Sequence, residues 1–327
     1  MIIRTLFFGT PTFAQIILPF LHHHPDIELV AIVCQPDKPV GRKQILTPPP
    51  TKVYAESEGI PVWQPKSLRT PEAQAQIEAY QPDLIIVAAY GKIIPEAILA
   101  IPKYQALNVH PSALPKYRGA SPLQFTLWSG EKTTKTSIMV MEPTLDTGPV
   151  IAQADYVIKE NEIYATFEAT MALLSAELLS KTITPWCKGE LKAIPQDHPH
   201  ATYTKILTKE DGLIDWTQSA TQIDNHIRAL STWPGTFTIL DGKRIKILAA
   251  RVSDPSIIGA PGTLHYQNKQ LLVCCGNNTV LAINQLQLEG KNPIDSATFM
   301  RGHPQFAEHV FSSTIDQSDP HTQNSHQ

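Results

Sequence analysis

Residues 105–122 read QALNVHPSALPKYRGASP, and this stretch decides how the rest of the chain is interpreted. An apolar run carries Asn108 and His110 at its end, and a turn rich in Pro and Ser follows with two cations, Lys116 and Arg118. Residues i and i+2 of an extended strand face the same side. The amide of Asn108 and the imidazole of His110 can therefore address one atom.

A carboxylate on a glycine-ended turn follows in residues 141–151, MEPTLDTGPVI, where Asp146 precedes Gly148. An Asn amide and a protonated His are both hydrogen-bond donors, so the pair is a candidate oxyanion hole. A carboxylate near His110 favours the imidazolium and fixes the orientation of the ring. We therefore predict that Asn108, His110 and Asp146 hold a carbonyl group and stabilise the negative charge that develops on it.

The flanking sequence predicts an α/β domain, doubly wound and Rossmann-like, over residues 1–189. Its predicted buried strands are short apolar runs at 2–8, 27–34, 83–88 and 106–109. The first run turns through glycine into a helix, as in doubly wound sheets, where ligands bind at the carboxyl ends of the strands. Tyr90 and Gly91 follow the third run and are expected in the same crevice as Asn108 and His110. A phosphate-binding first turn is a weaker alternative because the GxGxxG pattern is missing.

The strongest helical pattern lies at 162–181. Its predicted core face consists of Ile163, Phe167, Met171, Leu174 and Leu178.

The chain changes character after residue 189. Residues 190–208 are polar and irregular, and we predict a linker there. In residues 209–312 one helix is predicted at 219–230, and the rest consists of short β-like runs with a hairpin turn at Asp241-Gly242. This spacing predicts a small β-barrel. Residues 313–327 have no apolar pattern and are predicted to be disordered.

Composition limits the classes of function. A length of 327 residues suggests about two domains, and a net charge of -3 gives no overall basic field of the kind that indicates a nucleic-acid-binding protein. The 4 cysteines form no CxxC pair and no metal-ligand spacing, which favours a reducing, cytosolic-type compartment. No stretch reaches the roughly 18 apolar residues that read as a membrane span, and the N-terminus lacks the pattern of a signal peptide.

Two basic clusters are each open to two interpretations. Arg42 and Lys43 lie in a Pro-rich segment that is either a solvated surface loop or a mobile loop that clamps an anionic partner. Lys243, Arg244 and Lys246 lie on one predicted hairpin, as a solvated strand face or as contacts to phosphate. Charge alone does not decide between these interpretations.

Three other chemistries have partial patterns. The Asp-Thr-Gly at Asp146 occurs once, whereas aspartic proteases need two such carboxylates. Ser112 lacks the GxSxG turn of a serine nucleophile. Three adjacent histidines, 22–24, do not all face one ion on a helix, and we interpret them as a surface cluster at a helix end. No metal site is predicted.

At NVHPSALPKYRGASP and LDTG the sequence resembles the folate-dependent formyltransferases. Blocks at 7–14, 35–65 and 196–238 extend the resemblance over about residues 1–310 and narrow it to the members that act on charged tRNA. The resemblance implies transfer of a formyl group from 10-formyltetrahydrofolate to the amino group of methionine on initiator tRNA. It implies an OB-like barrel for residues 209–312, no metal and no membrane partner, and a monomer in the cytoplasm or an organelle stroma.

The resemblance also implies roles for individual residues. It assigns catalysis to Asn108, His110 and Asp146. Folate binding is assigned to the matching turn and to the crevice beside it: Ser112, Ala113, Leu114, Pro115, Tyr90 and Gly91. Contacts to tRNA are assigned to the two basic clusters: Arg42, Lys43, Lys243, Arg244 and Lys246. Two other classes stay open, namely a hydrolase or small-amine formyltransferase that uses the same donor, and a non-catalytic folate-binding or RNA-binding module.

Overall fold

The structure is a computed structural model, and it describes residues 1–41, 43–254 and 256–314. The predicted tRNA-contacting Arg42 lies outside the described residues, as does the predicted disordered stretch 313–327 from 315 onward. Ser313 is described, and its Oγ accepts from the Trp216 N–H at 3.1 Å. The chain divides into two compact units. The first consists of Met1–Leu123, Lys132–Lys159 and Thr166–Ile206, and the second of Gln124–Glu131, Glu160–Ala165 and the chain from Leu207 onward.

The first unit is built on a seven-stranded sheet. In chain order, the strands up to Thr204 are β1 (Ile3–Gly9), β2 (Ile27–Val33), β3 (Lys38–Val40), β4 (Ile45–Thr47), β5 (Val62–Trp63), β6 (Leu84–Ala88), β7 (Ala106–His110), β8 (Arg118–Gly119), β9 (Thr133–Val140), β10 (Val150–Val157) and β11 (Tyr203–Thr204). The helices up to Cys187 are α1 (Thr12–His22), α2 (Pro50–Ser57), α3 (Pro71–Ala79), α4 (Glu96–Leu99), α5 (Pro122–Trp128) and α6 (Tyr164–Cys187).

The order of strands in this sheet is β10-β9-β7-β6-β1-β2-β5, and β5, β2, β1, β6 and β7 run parallel. Strands β9 and β10 complete one edge in antiparallel pairing. The chain builds outward from β1 through β2 to β5 and then continues on the other side of β1 with β6. Such a reversal opens a crevice at the carboxyl ends of the strands. The predicted parallel sheet is confirmed.

The central strands of this sheet are buried because their apolar runs are covered on both faces, as in parallel sheets generally, whereas β10 at one edge has no buried residue. Every residue of β6 is buried, and β1 is buried from Thr5 to its end. Charged or turn-forming residues bound these runs, so the polar ends of the strands are the positions left for chemistry.

The predicted core face of α6 needs correction. The buried face of α6 includes Phe167 and Met171, but continues through Ser175 and Leu179 rather than through Leu174 and Leu178. Ile163 precedes the helix and is 41% exposed. Small residues at positions 172, 175 and 176 occupy the buried face, which a search for large apolar side chains does not detect.

The basic, Pro-rich segment near residue 40 is more ordered in secondary structure than a simple loop. Strands β3 and β4 pair as an antiparallel hairpin, and all of their residues are exposed. The predicted linker, 190–208, also has structure of its own. It contributes β11, which pairs with β8, and Gln196, which is only 8% exposed.

In the described residues, the second unit contains an antiparallel sheet, two helices after residue 206 and most of α5. Its elements are α7 (Ala220–Ala229), β12 (Thr236–Leu240), β13 (Lys243–Ser253), β14 (Leu264–Gln267), β15 (Gln270–Cys275), β16 (Thr279–Leu288), β17 (Ile294–Asp295) and α8 (Ser296–Gly302). The strand order is β12-β13-β16-β15-β14, with β17 beside β16. Short 3-10 helices lie at Glu210–Gly212 and Pro304–Glu308 in this unit, and at His198–His200 in the first.

Local sequence explains the main features of this second unit. Ser219 and Gln222 form a capping box that starts α7. Asp241 and Gly242 both have positive φ, at 48° and 74°, and this joins β12 to β13 in the predicted hairpin. Trp216 is 1% exposed in the core, and its indole N–H donates to Thr238 Oγ1 at 2.9 Å. No helix in the described part of the chain is both long and apolar enough to cross a membrane.

Candidate active site

The structure brings the three predicted catalytic side chains together at the carboxyl end of β7. Asn108 Nδ2 donates to Asp146 Oδ1 at 3.2 Å, and His110 Nδ1 lies 3.7 Å from Asp146 Oδ2. Asp146 lies in the turn between β9 and β10 with a φ of 53°. One carboxylate therefore faces both donors, as the alternation of side chains along β7 predicts.

Two backbone groups complete the surroundings of the carboxylate and the imidazole. Gly119 N–H donates to Asp146 Oδ2 at 2.7 Å, and His110 Nε2 lies 3.0 Å from the carbonyl oxygen of Tyr117. Because a carbonyl only accepts, Nε2 carries the hydrogen and Nδ1 is the nitrogen that faces Asp146. The side chains of His110 and Asp146 are 5% and 10% exposed. This burial strengthens their electrostatic interaction with any group that enters the site.

Asp146 has no second carboxylate among these partners, which are an amide, an imidazole and a peptide N–H. The arrangement does not fit the aspartic protease alternative, in which two carboxylates share a proton. It fits an oriented base beside a pair of donors.

The turn after β7 is held by side-chain hydrogen bonds to its carbonyl oxygens. Ser112 is fully buried, and its Oγ donates to the carbonyl of Lys116 at 2.6 Å. Its carbonyl accepts from Ser137 Oγ at 2.7 Å. Leu114 is 7% exposed, and its carbonyl accepts from Gln153 Nε2 at 3.2 Å. The Ser112 hydroxyl is thus committed to the turn, which does not fit a nucleophile.

Tyr90 and Gly91 follow β6 at the same edge of the sheet, since Val87 is the register partner of Asn108. The carbonyl of Tyr90 accepts from Thr10 Oγ1 at 3.0 Å, and its ring packs edge-on against a neighbouring aromatic ring. Burial raises the pKa of Tyr90 to about 12, so its hydroxyl stays neutral. The exposed Gly91 has a φ of 79°, so backbone rather than side chain borders the crevice there.

Two buried polar residues beside the site escaped prediction. Arg118 was noted as a cation but is 1% exposed, and Gln196 lies in the predicted linker. Arg118 Nε and Nη2 donate to Gln196 Oε1 at 3.1 and 2.8 Å, and Gln196 Nε2 donates to the carbonyls of Asp146 and Gly148 at 2.9 and 2.7 Å. For Arg118, its position next to the turn in the Arg-Gly pair was the one sequence signal. Gln196 had no signal, because a polar stretch gives no indication of which side chains are buried.

A basic cavity of about 240 Å³ lies in the second unit. Its lining consists of Lys209, Trp233, Pro234, Gly235, Phe237, Arg244 and Lys246. Arg244 stacks over the ring of Phe237 at 4.0 Å, which orients the guanidinium, and Trp233 is 51% exposed. Of the predicted tRNA-contacting residues, Arg244 and Lys246 are therefore brought together. Lys243 is exposed at the start of β13, and Lys43 is exposed between β3 and β4.

The histidines near residue 23 form no candidate metal centre. The rings of His22 and His23 stack at 4.9 Å, and His24 Nε2 lies 3.1 Å from the carbonyl oxygen of Ser180. Within 1–41, 43–254 and 256–314, no group of three or more His, Cys, Asp or Glu side chains is arranged to hold a metal ion.

Comparison with known proteins gives matches over nearly the whole chain. The family described as "Formyl transferase" matches residues 2–183, and "Formyl transferase, C-terminal domain" matches residues 206–304. The methionyl-tRNA formyltransferase of Citrifermentans bemidjiense is 42% identical over 301 residues, covering 92% of this chain and 93% of the relative. The methionyl-tRNA formyltransferase of Geobacillus thermodenitrificans is 41% identical, covering 91% and 93%.

Solved structures share the fold at low identity. An N-formyltransferase from Helicobacter canadensis, in complex with folinic acid and dTDP-3-aminofucose, superposes with a TM-score of 0.63 at 18% identity and covers 86% of this chain and 99% of that one. HypX from Aquifex aeolicus, in complex with tetrahydrofolic acid, superposes with a TM-score of 0.56 at 17% identity and covers 92% and 47%. At these identities the likeness concerns the fold alone.

Proposed function

This chain belongs to the formyl transferase family, and we propose that it transfers a formyl group to the amino group of methionine on initiator tRNA. The product is N-formylmethionyl-tRNA, the substrate of translation initiation. One observation carries the proposal: Asn108 and His110 converge on the Asp146 carboxylate at the carboxyl ends of the parallel strands. A reaction on charged tRNA takes place where translation does, so we propose the cytoplasm as its location.

In the mechanism that we propose, the neutral amine attacks the formyl carbon and the carbonyl oxygen becomes an oxyanion. The Asn108 amide has two N–H groups, and Asp146 accepts from only one of them. The second N–H is the donor that we assign to the oxyanion, together with the Nδ1–H that His110 carries in its protonated form, because its Nε2–H donates to the Tyr117 carbonyl. Hydrogen bonds that strengthen as charge develops lower the barrier.

Proton movement accompanies the transfer of the formyl group. The attacking amine loses a proton, and the folate nitrogen gains one as its bond to carbon breaks. Asp146 and His110 Nδ1 are the groups that we assign to this exchange, directly or through a water. Their separation of 3.7 Å exceeds a direct hydrogen bond. Asp146 Oδ2 already accepts from the Gly119 N–H, so its remaining lone pair and His110 Nδ1 are the positions that we assign to the proton.

We assign 10-formyltetrahydrofolate as the formyl donor. The resemblance and the folate-bound structural relatives support the donor class. The segment from Ser112 to Pro115 would border the donor beside Asn108, with Tyr90 and Gly91 on the neighbouring strand end. Because the polar atoms of Ser112 are used within the turn, we expect this segment to contribute shape and backbone groups rather than a serine hydroxyl.

For the acceptor we propose a division of labour along the chain. Residues 1–189 form the catalytic domain, 190–208 the connection, and 209–312 an OB-like barrel that binds tRNA. The antiparallel path β12-β13-β16-β15-β14 supports the barrel assignment. The basic cavity supports Arg244 and Lys246 as phosphate contacts, and Lys243, Arg42 and Lys43 remain candidates by position. We propose that the chain acts as a monomer.

The test is to incubate the purified chain with 10-formyltetrahydrofolate and methionyl initiator tRNA, and to follow formyl groups on the amino acid. Elongator methionyl-tRNA, free methionine and buffer alone are the controls. We expect the formyl group on the initiator species. Formate release in buffer alone would indicate a hydrolase, and formylation of free methionine would indicate a small-amine transferase. Binding of tRNA or folate without turnover would indicate a non-catalytic module.

A further inference from the structure

Arg118 is a buried cation whose side-chain partners are uncharged. It is 1% exposed, and its guanidinium donates to the Gln196 amide oxygen, to Tyr203 OH at 3.1 Å and to His198 Nδ1 at 3.1 Å. Removing a cation from water is costly unless geometry and hydrogen bonding compensate. The groups that hydrogen-bond to this cation are therefore themselves held in fixed orientations beside the reacting carboxylate.

The Gln196 amide is the group that Arg118 orients. Two N–H donors of the guanidinium converge on Gln196 Oε1 at 3.1 and 2.8 Å, so the oxygen end of the amide is fixed and the NH₂ end points the other way. That end donates to the carbonyls of Asp146 and Gly148 at 2.9 and 2.7 Å. The guanidinium, the amide and the turn thus form one continuous chain of hydrogen bonds.

Backbone pairing links Arg118 to the same carboxylate a second time. Arg118 N–H donates to the Thr202 carbonyl at 2.9 Å where β8 pairs with β11, and the next residue, Gly119, donates its N–H to Asp146 Oδ2 at 2.7 Å. Gly119 has a φ of 109°, and a Cβ there would lie 2.5 Å from the Thr204 carbonyl oxygen. Only glycine therefore presents this N–H without strain.

We propose that Arg118 is a positioning residue for the transfer reaction, acting through Gln196 to hold the Asp146–Gly148 turn and hence the carboxylate that faces Asn108 and His110. This role rests on the proposed function. Asp146 has the positive φ of 53° that a non-glycine residue adopts only when its surroundings hold it there. The two hydrogen bonds from Gln196 to the turn are contacts of this kind.

Gln196→Glu separates this role from simple support of the fold. The carboxylate gives Arg118 an ion-pair partner, which satisfies the buried cation better than an amide does. Its second oxygen then faces the carbonyls of Asp146 and Gly148 without a hydrogen to offer. We expect a melting temperature close to wild type, an unchanged KM for 10-formyltetrahydrofolate and a kcat lower by about 10²-fold, as for a misplaced reacting group.

Two further variants complete the experiment. Tyr203→Phe removes the hydroxyl that accepts from Arg118 Nη1 and keeps the ring beside the guanidinium, and we expect it to keep nearly wild-type kcat. Arg118→Lys keeps the charge with fewer directed donors and is expected to fall between wild type and Gln196→Glu. Hydrogen–deuterium exchange of the amides around 146–148 supplies a readout that does not depend on activity. We expect the fastest exchange there in Gln196→Glu, intermediate exchange in Arg118→Lys and wild-type exchange in Tyr203→Phe.

Normal kcat and unchanged exchange in Gln196→Glu would overturn this role for Arg118. So would an equal loss of kcat in Tyr203→Phe, because that result indicates a general loss of packing around the cation. If wild type formylates no acceptor, the proposed function fails, and the exchange measurement alone then decides whether Arg118 holds the turn through Gln196.

Discussion

The carboxylate of Asp146 is oriented by donors of different kinds, a side-chain amide and a peptide N–H, with an imidazole nearby. Each of its two oxygens accepts one short contact, so rotation of the carboxylate costs a hydrogen bond on either side. This constraint places Asn108 and His110 on one side of a single acid. Preorganised donors of this kind cost no reorganisation at the moment when charge develops.

Truncation of either donor tests this assignment. We expect Asn108→Ala and His110→Ala each to lower kcat by about 10²–10³-fold, the usual cost of losing one oxyanion donor. Donor binding should stay near wild type in Asn108→Ala, because the lost interaction strengthens only in the transition state. Steady-state kinetics at saturating tRNA, with separate titration of the folate, measures both quantities. A variant that binds folate and keeps near-normal kcat would remove its residue from the catalytic set.

The cysteine thiols are predicted to be unreactive in the native protein. All four cysteines are buried, and burial raises the pKa of Cys34 to about 11 and those of Cys187 and Cys275 to about 12. Burial also raises the pKa of Cys274. Because the thiolate is the reactive form, we expect native protein at pH 8 to react slowly with a disulfide reagent and denatured protein to release four equivalents. One rapid equivalent in the native protein would contradict this.

At the level of single residues, the sequence was informative where side-chain type and strand alternation coincide. Asn108 and His110 were predictable because alternation alone places them on one side of β7. Gln196 was not, because its importance comes from a partner 78 residues away along the chain. An amide in a polar stretch looks the same in the sequence whether it is solvated or buried.

At the level of elements, apolar runs located the strands of the parallel sheet, and the hairpin at 241–242 followed from its turn residues. The face of α6 was misjudged because burial there depends on small residues such as Ser175, whose hydroxyl donates to the helix at 2.6 Å and so becomes satisfied inside the core. Short strands such as β8 and β11 have no periodic signal. They exist because the two segments pair with each other, which is a property of the fold.

The turn between β9 and β10 requires a residue without a side chain at Gly148. A Cβ there would clash with the carbonyl oxygen of Val140 at the end of β9, so the turn that carries Asp146 must shift. We expect Gly148→Ala to lower the free energy of unfolding by about 1–3 kcal/mol and to lower kcat by about 10²-fold. Thermal unfolding and steady-state kinetics measure the two effects.

Gly302→Ala is the matched control for Gly148→Ala. Nothing lies within 4 Å of a Cβ at Gly302, and its φ is not positive. We expect its stability to stay within about 0.5 kcal/mol of wild type and its kcat to be unchanged. A loss in both variants would mean that the added methyl group acts through general effects and not through the Asp146 turn.

At the level of the whole molecule, a net charge of -3 must be reconciled with a polyanionic substrate. Overall charge does not attract tRNA to this chain, so binding has to depend on local concentrations of positive charge. The cavity lined by Lys209, Arg244 and Lys246 is such a place, and the half-exposed Trp233 lines the same cavity. A surface of this composition offers both phosphate contacts and a stacking face.

Local binding of this kind predicts a specific salt dependence. Each lost phosphate contact lowers the slope of log affinity against log salt by about 0.9 on duplex and about 0.7 on single strands. We expect the double variant Arg244→Ala, Lys246→Ala to raise KM for methionyl-tRNA and to reduce this slope by about 1–2. Its kcat at saturation should remain near wild type, because neither side chain belongs to the proposed catalytic set. Titration of tRNA at several salt concentrations measures the slope directly.

Lys269→Ala is the control that separates local contacts from total charge. Lys269 is exposed in the turn between β14 and β15 and does not line the cavity, and its removal changes the net charge by one unit. If binding depends on the cavity, Lys269→Ala keeps the wild-type KM and salt slope, while the double variant has a higher KM and a smaller slope. If all three removals weaken binding in proportion to charge, tRNA responds to the overall field and the cavity has no special role. If the double variant also behaves as wild type, the phosphate contacts lie elsewhere, and Lys43 on the exposed β3–β4 hairpin is the next position to test.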